Sequence, residues 1–208
     1  GIRVEVNSTY TLNNVSIKDN RISECRAAGI ALTHNGAPGA ANDIRITDND
    51  IYNCGQNTAS DIRKSGILIE VPVDGIMIDG NRTYNNGGGT TQKYGLVISN
   101  VAVTGAFIDG NDLRDVTVPG IYLDGTATLS GVITNNPGYN LGAASVTPGA
   151  SPWTYTAGPT PEVLYLNGGT ISTVVKNGIT IGMPVYLNPN ESVTLTYSGS
   201  PTAAVDRK

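Results

Sequence analysis

The chain has 208 residues, only 14% of them charged, a net charge of −4, 26 glycines, one Trp and one Phe. That balance leaves no basic patch for nucleic acid, mildly repels anionic membranes, and, poor in charge and rich in glycine, argues against long helices. No stretch approaches the roughly 18 apolar residues of a membrane span, so neither nucleic acid nor membrane is expected as a partner.

From the first residue, glycine is followed by apolar, any residue, apolar: Gly1-Ile-Arg-Val4, Gly29-Ile-Ala-Leu32, Gly66-Ile-Leu-Ile69, Gly95-Leu-Val-Ile98, Gly120-Ile-Tyr-Leu123 and, more weakly, Gly138-Tyr-Asn-Leu141. A second series runs in step with it, ending at Asn20, Asn49, Asn81, Asn111 and Asn136, which are 29, 32, 30 and 25 residues apart. A repeat of this length marks an array in which each unit buries its apolar side against its neighbours. Opening directly on a strand, without the polar cap that arrays require, predicts a fragment whose earlier turns precede Gly1.

Within the units, Val15/Ile17, Ile44/Ile46, Ile76/Ile78, Ala106/Ile108 and, with its register broken, Val132/Ile133 alternate with polar residues. Period two means strand, and the fill is the β-branched set that packs on pleated surfaces. The expected fold is all-β: a right-handed parallel β-helix over 1–141, a linker over 142–161 and a small antiparallel β-sandwich-like domain over 162–208. Stacked strands lie about 4.8 Å apart. The five asparagines should form a ladder at a corner, where Asn tolerates the left-handed bend and its amide bonds the turns above and below. Arg21, Asp50, Arg82 and Asp112 follow one position later with alternating charge, so neighbouring turns meet as opposite partners. Cys25 and Cys54, the only cysteines, fall five residues past successive ladder asparagines. They are read as two small buried thiols, because parallel side chains on adjacent turns would strain a bridge.

Beyond Leu141 the run of Gly, Ala, Ser and Pro reads as a linker. Glu162–Asn167 and Thr170–Lys176 alternate, Asn177-Gly178 signals a two-residue hairpin, and Val185–Leu187, Pro189-Asn190 and Ser192–Tyr197 give a further strand–turn–strand.

The closing segment 169–178, then Val185-Tyr-Leu-Asn-Pro-Asn-Glu-Ser-Val-Thr-Leu-Thr-Tyr197 and Pro201, resembles modules that end bacteriophage tailspikes and tail fibres, and the turns before it resemble the pectate-lyase-like superfamily. The resemblance implies a homotrimer in the virion, outside the host cell. Its partner would be a bacterial surface polysaccharide, and its terminal module would serve trimerisation or host contact. The alternatives are a polysaccharide hydrolase or lyase and a purely structural trimeric spacer.

Hydrolysis would need two carboxylates, about 5–5.5 Å apart for retention or 6.5–9.5 Å for inversion. The column after each Gly-x-x-apolar strand reads Glu5, Thr33, Glu70, Ser99, Asp124. Glu70 and Asp124, two turns or about 9.6 Å apart, are the candidate catalytic pair. Asp79/Asp109 and Asp19/Asp48 are better read as turn residues. His34 precedes a turn, Asp48-Asn-Asp50 is too short for a calcium loop, and no metal or cofactor is expected. Stacking on sugar needs aromatic rings, and Tyr52, Tyr84, Tyr94, Tyr122 and Trp153 are the candidates. The polar loops 56–65 and 85–93, side by side on one edge, are where such arrays carry binding.

Overall fold

The computed structural model describes residues 1–56, 60–86, 91–114, 116 and 120–207. They are all-β apart from one short 3₁₀ turn at Asp61–Arg63. The chain divides into two compact units: one comprises Gly1–Gly131 with Asn135–Tyr139, the other Val132–Thr134 with everything from Asn140 onward.

The first unit is a parallel β-solenoid with three sheets. Ile2–Glu5, Ile30–Thr33, Ser65–Ile69, Tyr94–Ser99 and Ile121–Asp124 form the first sheet, in chain order. Thr11–Asn13 and Ser16–Lys18, then Ala40–Thr47, Val73–Asp79, Ala102–Asp109 and Thr128–Thr134, form the second. Arg21–Ser23, Asp50–Tyr52 and Arg82–Tyr84 form the third, which an isolated bridge from Arg82 to Asp112 extends. Register is set by columns of identical chemistry. Ile17, Ile46, Ile78 and Ile108 stand opposite one another, as do Ile44 and Ile76. All six are buried, and each contributes roughly 1.5–3 kcal/mol by leaving water.

The asparagine ladder is continuous. Asn49 Oδ1 accepts from the backbone N–H and the side-chain amide of Asn20, at 3.1 and 3.0 Å. Asn81, Asn111 and Asn136 repeat the pattern, each accepting both donors of the asparagine one turn earlier at 2.8–3.1 Å. The left-handed bend, expected at the ladder residue, falls one position before it, at Asp19, Asp48, Gly80, Gly110 and Asn135, with φ between 51° and 63°. A second left-handed column, Asn14, Asp43, Gly75 and Gly105, kinks the second sheet. Asp, Asn and Gly are the residues that adopt this conformation at least cost. The bend precedes the ladder because it turns the next side chain inward, where the amide replaces the hydrogen bonds water would make.

The repeating glycine answers to space, not to dihedral angle. A Cβ at Gly29 would lie 2.4 Å from Ile51 Cγ2, at Gly66 2.7 Å from Thr83 Cγ2 and at Gly120 2.6 Å from Leu113 Cβ. The start of each first-sheet strand therefore runs against the side chains that follow the ladder. The sixth copy, Gly138–Leu141, forms no strand, and Leu141 is 38% exposed.

The second unit packs two four-stranded antiparallel sheets. One orders Gly142–Val146, Thr202–Arg207, Glu162–Asn167 and Val185–Leu187; the other orders Trp153–Thr156, Ser192–Ser198, Thr170–Lys176 and Ile179–Thr180. Leu164, Leu166, Val185, Leu187 and Val205 from the first meet Val174, Val193 and Leu195 from the second in one core. The segment 142–161 is thus corrected from linker to sandwich: it supplies the strands Gly142–Val146 and Trp153–Thr156. Its inward residues, Ala144, Val146, Trp153 and Tyr155, were hidden among Gly, Ser and Pro.

Candidate functional site

Along the first sheet, every second residue points away from the solenoid interior. Register places Arg3, Ala31, Leu68, Val97 and Tyr122 in one outward column. Outward apolar residues would normally meet water, yet Leu68 and Val97 are at most 1% exposed. A cover explains this: Ile62 of the 3₁₀ turn, Ala28 and Tyr94 pack on them. Asp61 pins that cover, bonding Lys64 at 3.2 Å and Lys93 at 2.7 Å. The two ammonium groups, Lys93 foremost, hold the Asp61 carboxyl below the usual carboxylate range. Lys93 and Tyr94 also donate their backbone N–H groups to Lys64 O. The flanks of loops 56–65 and 85–93 thus lie together, as expected; residues 57–59 and 87–90 of those loops fall outside the described residues.

Where the cover stops, a cleft of about 260 Å³ opens over the same face. Ala27, Ala28, Ala31 and Leu68 are its apolar lining, and Ala31 leaves the room because its neighbours in the column are larger. Arg3, Arg26 and Arg63 stand around it, with Thr33 and Glu70 at one side and Cys25 at the other. Glu70 Oε2 accepts from Thr33 Oγ1 at 2.7 Å and lies 4.0 Å from the Arg63 guanidinium. Its side chain is 15% exposed, against 50% for Arg63. Arg3 also pairs with Glu5 at 3.1 Å, so three arginines and two glutamates give the cleft and its rim a formal charge of +1 (3 − 2), in a chain whose total is −4. A positive, partly dry cleft with an apolar lining suits a ring that carries an anionic substituent. Guanidinium groups bond carboxylate and phosphate in a fixed fork.

The sequence-predicted residues are distributed over several places. Glu70 lines the cleft and Asp124 does not. Both occupy the expected column, but each is engaged with a hydroxyl one turn earlier, Asp124 with Ser99 at 2.8 Å. Tyr94 and Tyr122 stack at 4.7 Å with a 15° interplanar angle, Lys93 lies 5.2 Å from the Tyr94 ring, and Tyr94 is 6% exposed. Tyr52 and Tyr84 stack at 5.2 Å on the third sheet, with the Arg82 guanidinium 4.0 Å from the Tyr84 ring. Burial pushes the Tyr84 phenol above its ordinary pKa. Trp153, half-buried and tilted against Tyr155 at 5.6 Å, belongs to the sandwich core. These rings therefore face one another more than they face solvent.

The column of alternating charge forms ion pairs, Arg21 with Asp50 at 3.6 Å and Arg82 with Asp112 at 3.8 Å. Asp109 accepts from Asn135, and His34 bonds the carbonyl of Gly36. Cys25 and Cys54 are free and buried, and burial pushes the Cys54 thiol up to about 12. Among the described residues no group of three or more His, Cys, Asp or Glu is placed to hold a metal ion. Sequence reasoning missed Arg3, Arg26 and Arg63, which come from distant parts of the first two turns and share no motif.

No protein family matches the chain, and no curated protein or solved structure does.

Proposed function

We propose that this chain recognises a bacterial surface polysaccharide through the first-sheet cleft, as the receptor-binding part of a bacteriophage tailspike or tail fibre acting as a homotrimer. The observation that carries the reading is the arginine-rimmed cleft with its apolar lining. It supports an acidic sugar as the bound unit, since a net positive rim in a −4 chain favours an anion. A rigid solenoid joined to an antiparallel sandwich supports the spike assignment through the resemblance noted above.

The test is binding of the full chain to acidic and neutral surface polysaccharides. Arg63→Ala removes a charge-assisted contact of about 1.5–3 kcal/mol, so binding of the acidic polymer should weaken about tenfold or more and become less salt-dependent. Undiminished binding by this variant, or no binding of any surface polysaccharide, would sink the assignment. Light scattering should return three times 21.6 kDa; a monomer would remove the spike reading while leaving the cleft in place. Hydrolysis is a second reading, favoured only by the position of Glu70 in the cleft. Unchanged release of reducing ends by Glu70→Gln would dispose of it.

A further inference from the structure

The aromatic rings that the structure leaves open are not the ones the sequence singles out. Tyr186 is 69% exposed and Tyr165 41%, against 9% for Tyr84 and 6% for Tyr94. These two lie on the sandwich, whereas the other exposed rings, Tyr10 at 71% and Phe107 at 39%, lie on the solenoid. Leu164, Leu166, Val185 and Leu187 point into its core, so the residues between them, Val163, Tyr165 and Tyr186, point outward. Tyr186 stands directly opposite Val163 in the antiparallel pair, which places Tyr165 on the diagonal, about 7–8 Å from it.

Beside Tyr186 is a cleft of about 350 Å³, lined also by Glu162, Val163, Lys176 and Asn188. Its polar groups are held in place from behind. The Glu162 carboxylate accepts from the Tyr155 hydroxyl at 2.5 Å and from Gly158 N–H at 3.1 Å, and the residue is 4% exposed. The Lys176 ammonium donates to Tyr186 O at 2.6 Å and pairs with Glu191 at 2.8 Å. Glu191 also accepts from the backbone N–H of Asn188 at 2.9 Å. Lys176 is paired with Glu191 and Glu162 is buried and engaged, so this cleft, unlike the one on the solenoid, offers no net attraction to an anion. It combines an open ring face with the ammonium of Lys176 and the amide of Asn188, groups that read the faces and hydroxyls of a sugar.

We propose that this cleft is a second saccharide subsite, with Tyr186 as the stacking platform and Lys176 and Asn188 bonding the hydroxyls of a neutral hexopyranose. The inference stands apart from the solenoid cleft, which can fail without it.

The experiment is heteronuclear NMR of the full chain titrated with glucose, galactose, N-acetylglucosamine and galacturonate. Binding of a neutral sugar should shift the amides of Tyr186, Leu187 and Asn188. Tyr186→Ala should weaken it at least tenfold, with Trp153 fluorescence unchanged as evidence that the sandwich is folded. Arg63→Ala should leave it unaltered. The proposal is overturned if no neutral sugar moves these amides, if Tyr186→Ala binds as well as the parent, or if galacturonate binds here more tightly than galactose.

Discussion

Replacing Asn81 with Ala should cost the solenoid far more than the same change at Asn20, and the difference can be worked from the ladder. Asn81 is 1% exposed. Its Oδ1 accepts from Asn49 N–H at 3.1 Å and Asn49 Nδ2 at 2.9 Å, and its Nδ2 donates to Ile46 O at 2.8 Å and Asn111 Oδ1 at 2.9 Å. Truncation leaves the Asn49 N–H buried without a partner and removes the side-chain bond to the Ile46 carbonyl, which keeps its place in the backbone ladder. The orphaned group costs about 1–3 kcal/mol and the lost bond about 0.5–1.5 kcal/mol, so the loss is about 1.5–4.5 kcal/mol. Asn20 donates to Asn49 Oδ1 and Lys18 O at the exposed end of the ladder, and Asn20→Ala should cost only about 0.5–1.5 kcal/mol. Urea unfolding measures both if two probes are followed, because the units need not unfold together. Far-UV circular dichroism reports the whole chain, whereas Trp153, the only tryptophan, reports the sandwich. The Trp153 midpoint should stay fixed while the dichroism transition moves. Equal losses at the two positions would refute the argument that burial of the orphaned groups sets the penalty.

Gly66→Val should destabilise the solenoid by about 1–3 kcal/mol, since even a Cβ there sits 2.7 Å from Thr83 Cγ2 and 2.9 Å from the Gly95 carbonyl. Thermal denaturation checks this, and an unaltered midpoint would show that the glycine column is not steric. Cys54 should resist iodoacetamide in the native protein and react once the chain is unfolded. Because its folded pKa is raised from 9.0 to about 12, its contribution to stability is complete below pH 9 and lost as pH rises toward 12. The slope is at most about 1.4 kcal/mol per pH unit. Stability that stays flat across that window would contradict the burial of the thiol.

The parts of the fold legible in the sequence are those written once per turn. Ile17, Ile46, Ile78 and Ile108 could be aligned because the same side chain meets itself at every level, and the same holds for the asparagines and for Arg21, Asp50, Arg82 and Asp112. The exact corner was not legible, since Asp-Asn and Gly-Asn both permit a left-handed residue at either position, and only burial decides which side chain turns inward. The candidate site was less legible still. Arg3, Arg26 and Arg63 converge only after the chain has wound, and Ile62 hides in a polar loop whose role is to cover Leu68 and Val97. Stacking in register brings like side chains together, and for Tyr52/Tyr84 and Tyr94/Tyr122 it spends on each other the ring faces that a sugar would need. Tyr165 and Tyr186 carried one available signal: each alternates with core leucines and valines, so each had to face out.

The asparagine ladder also gives the solenoid an electrical direction. Main-chain bonds between turns run both ways: Val6 N–H donates forward to Thr33 O, while Gly39 N–H donates back to Val6 O. Their dipoles therefore largely offset one another, as in sheets generally. The side-chain carbonyls from Asn49 to Asn136 all face the preceding turn. Parallel amides polarise one another, and along a dry axis they add to a field whose negative pole lies toward Asn20 and whose positive pole lies toward Asn136. A stack of near-identical turns thus has distinguishable ends, as an α-helix does, although no helix runs through it.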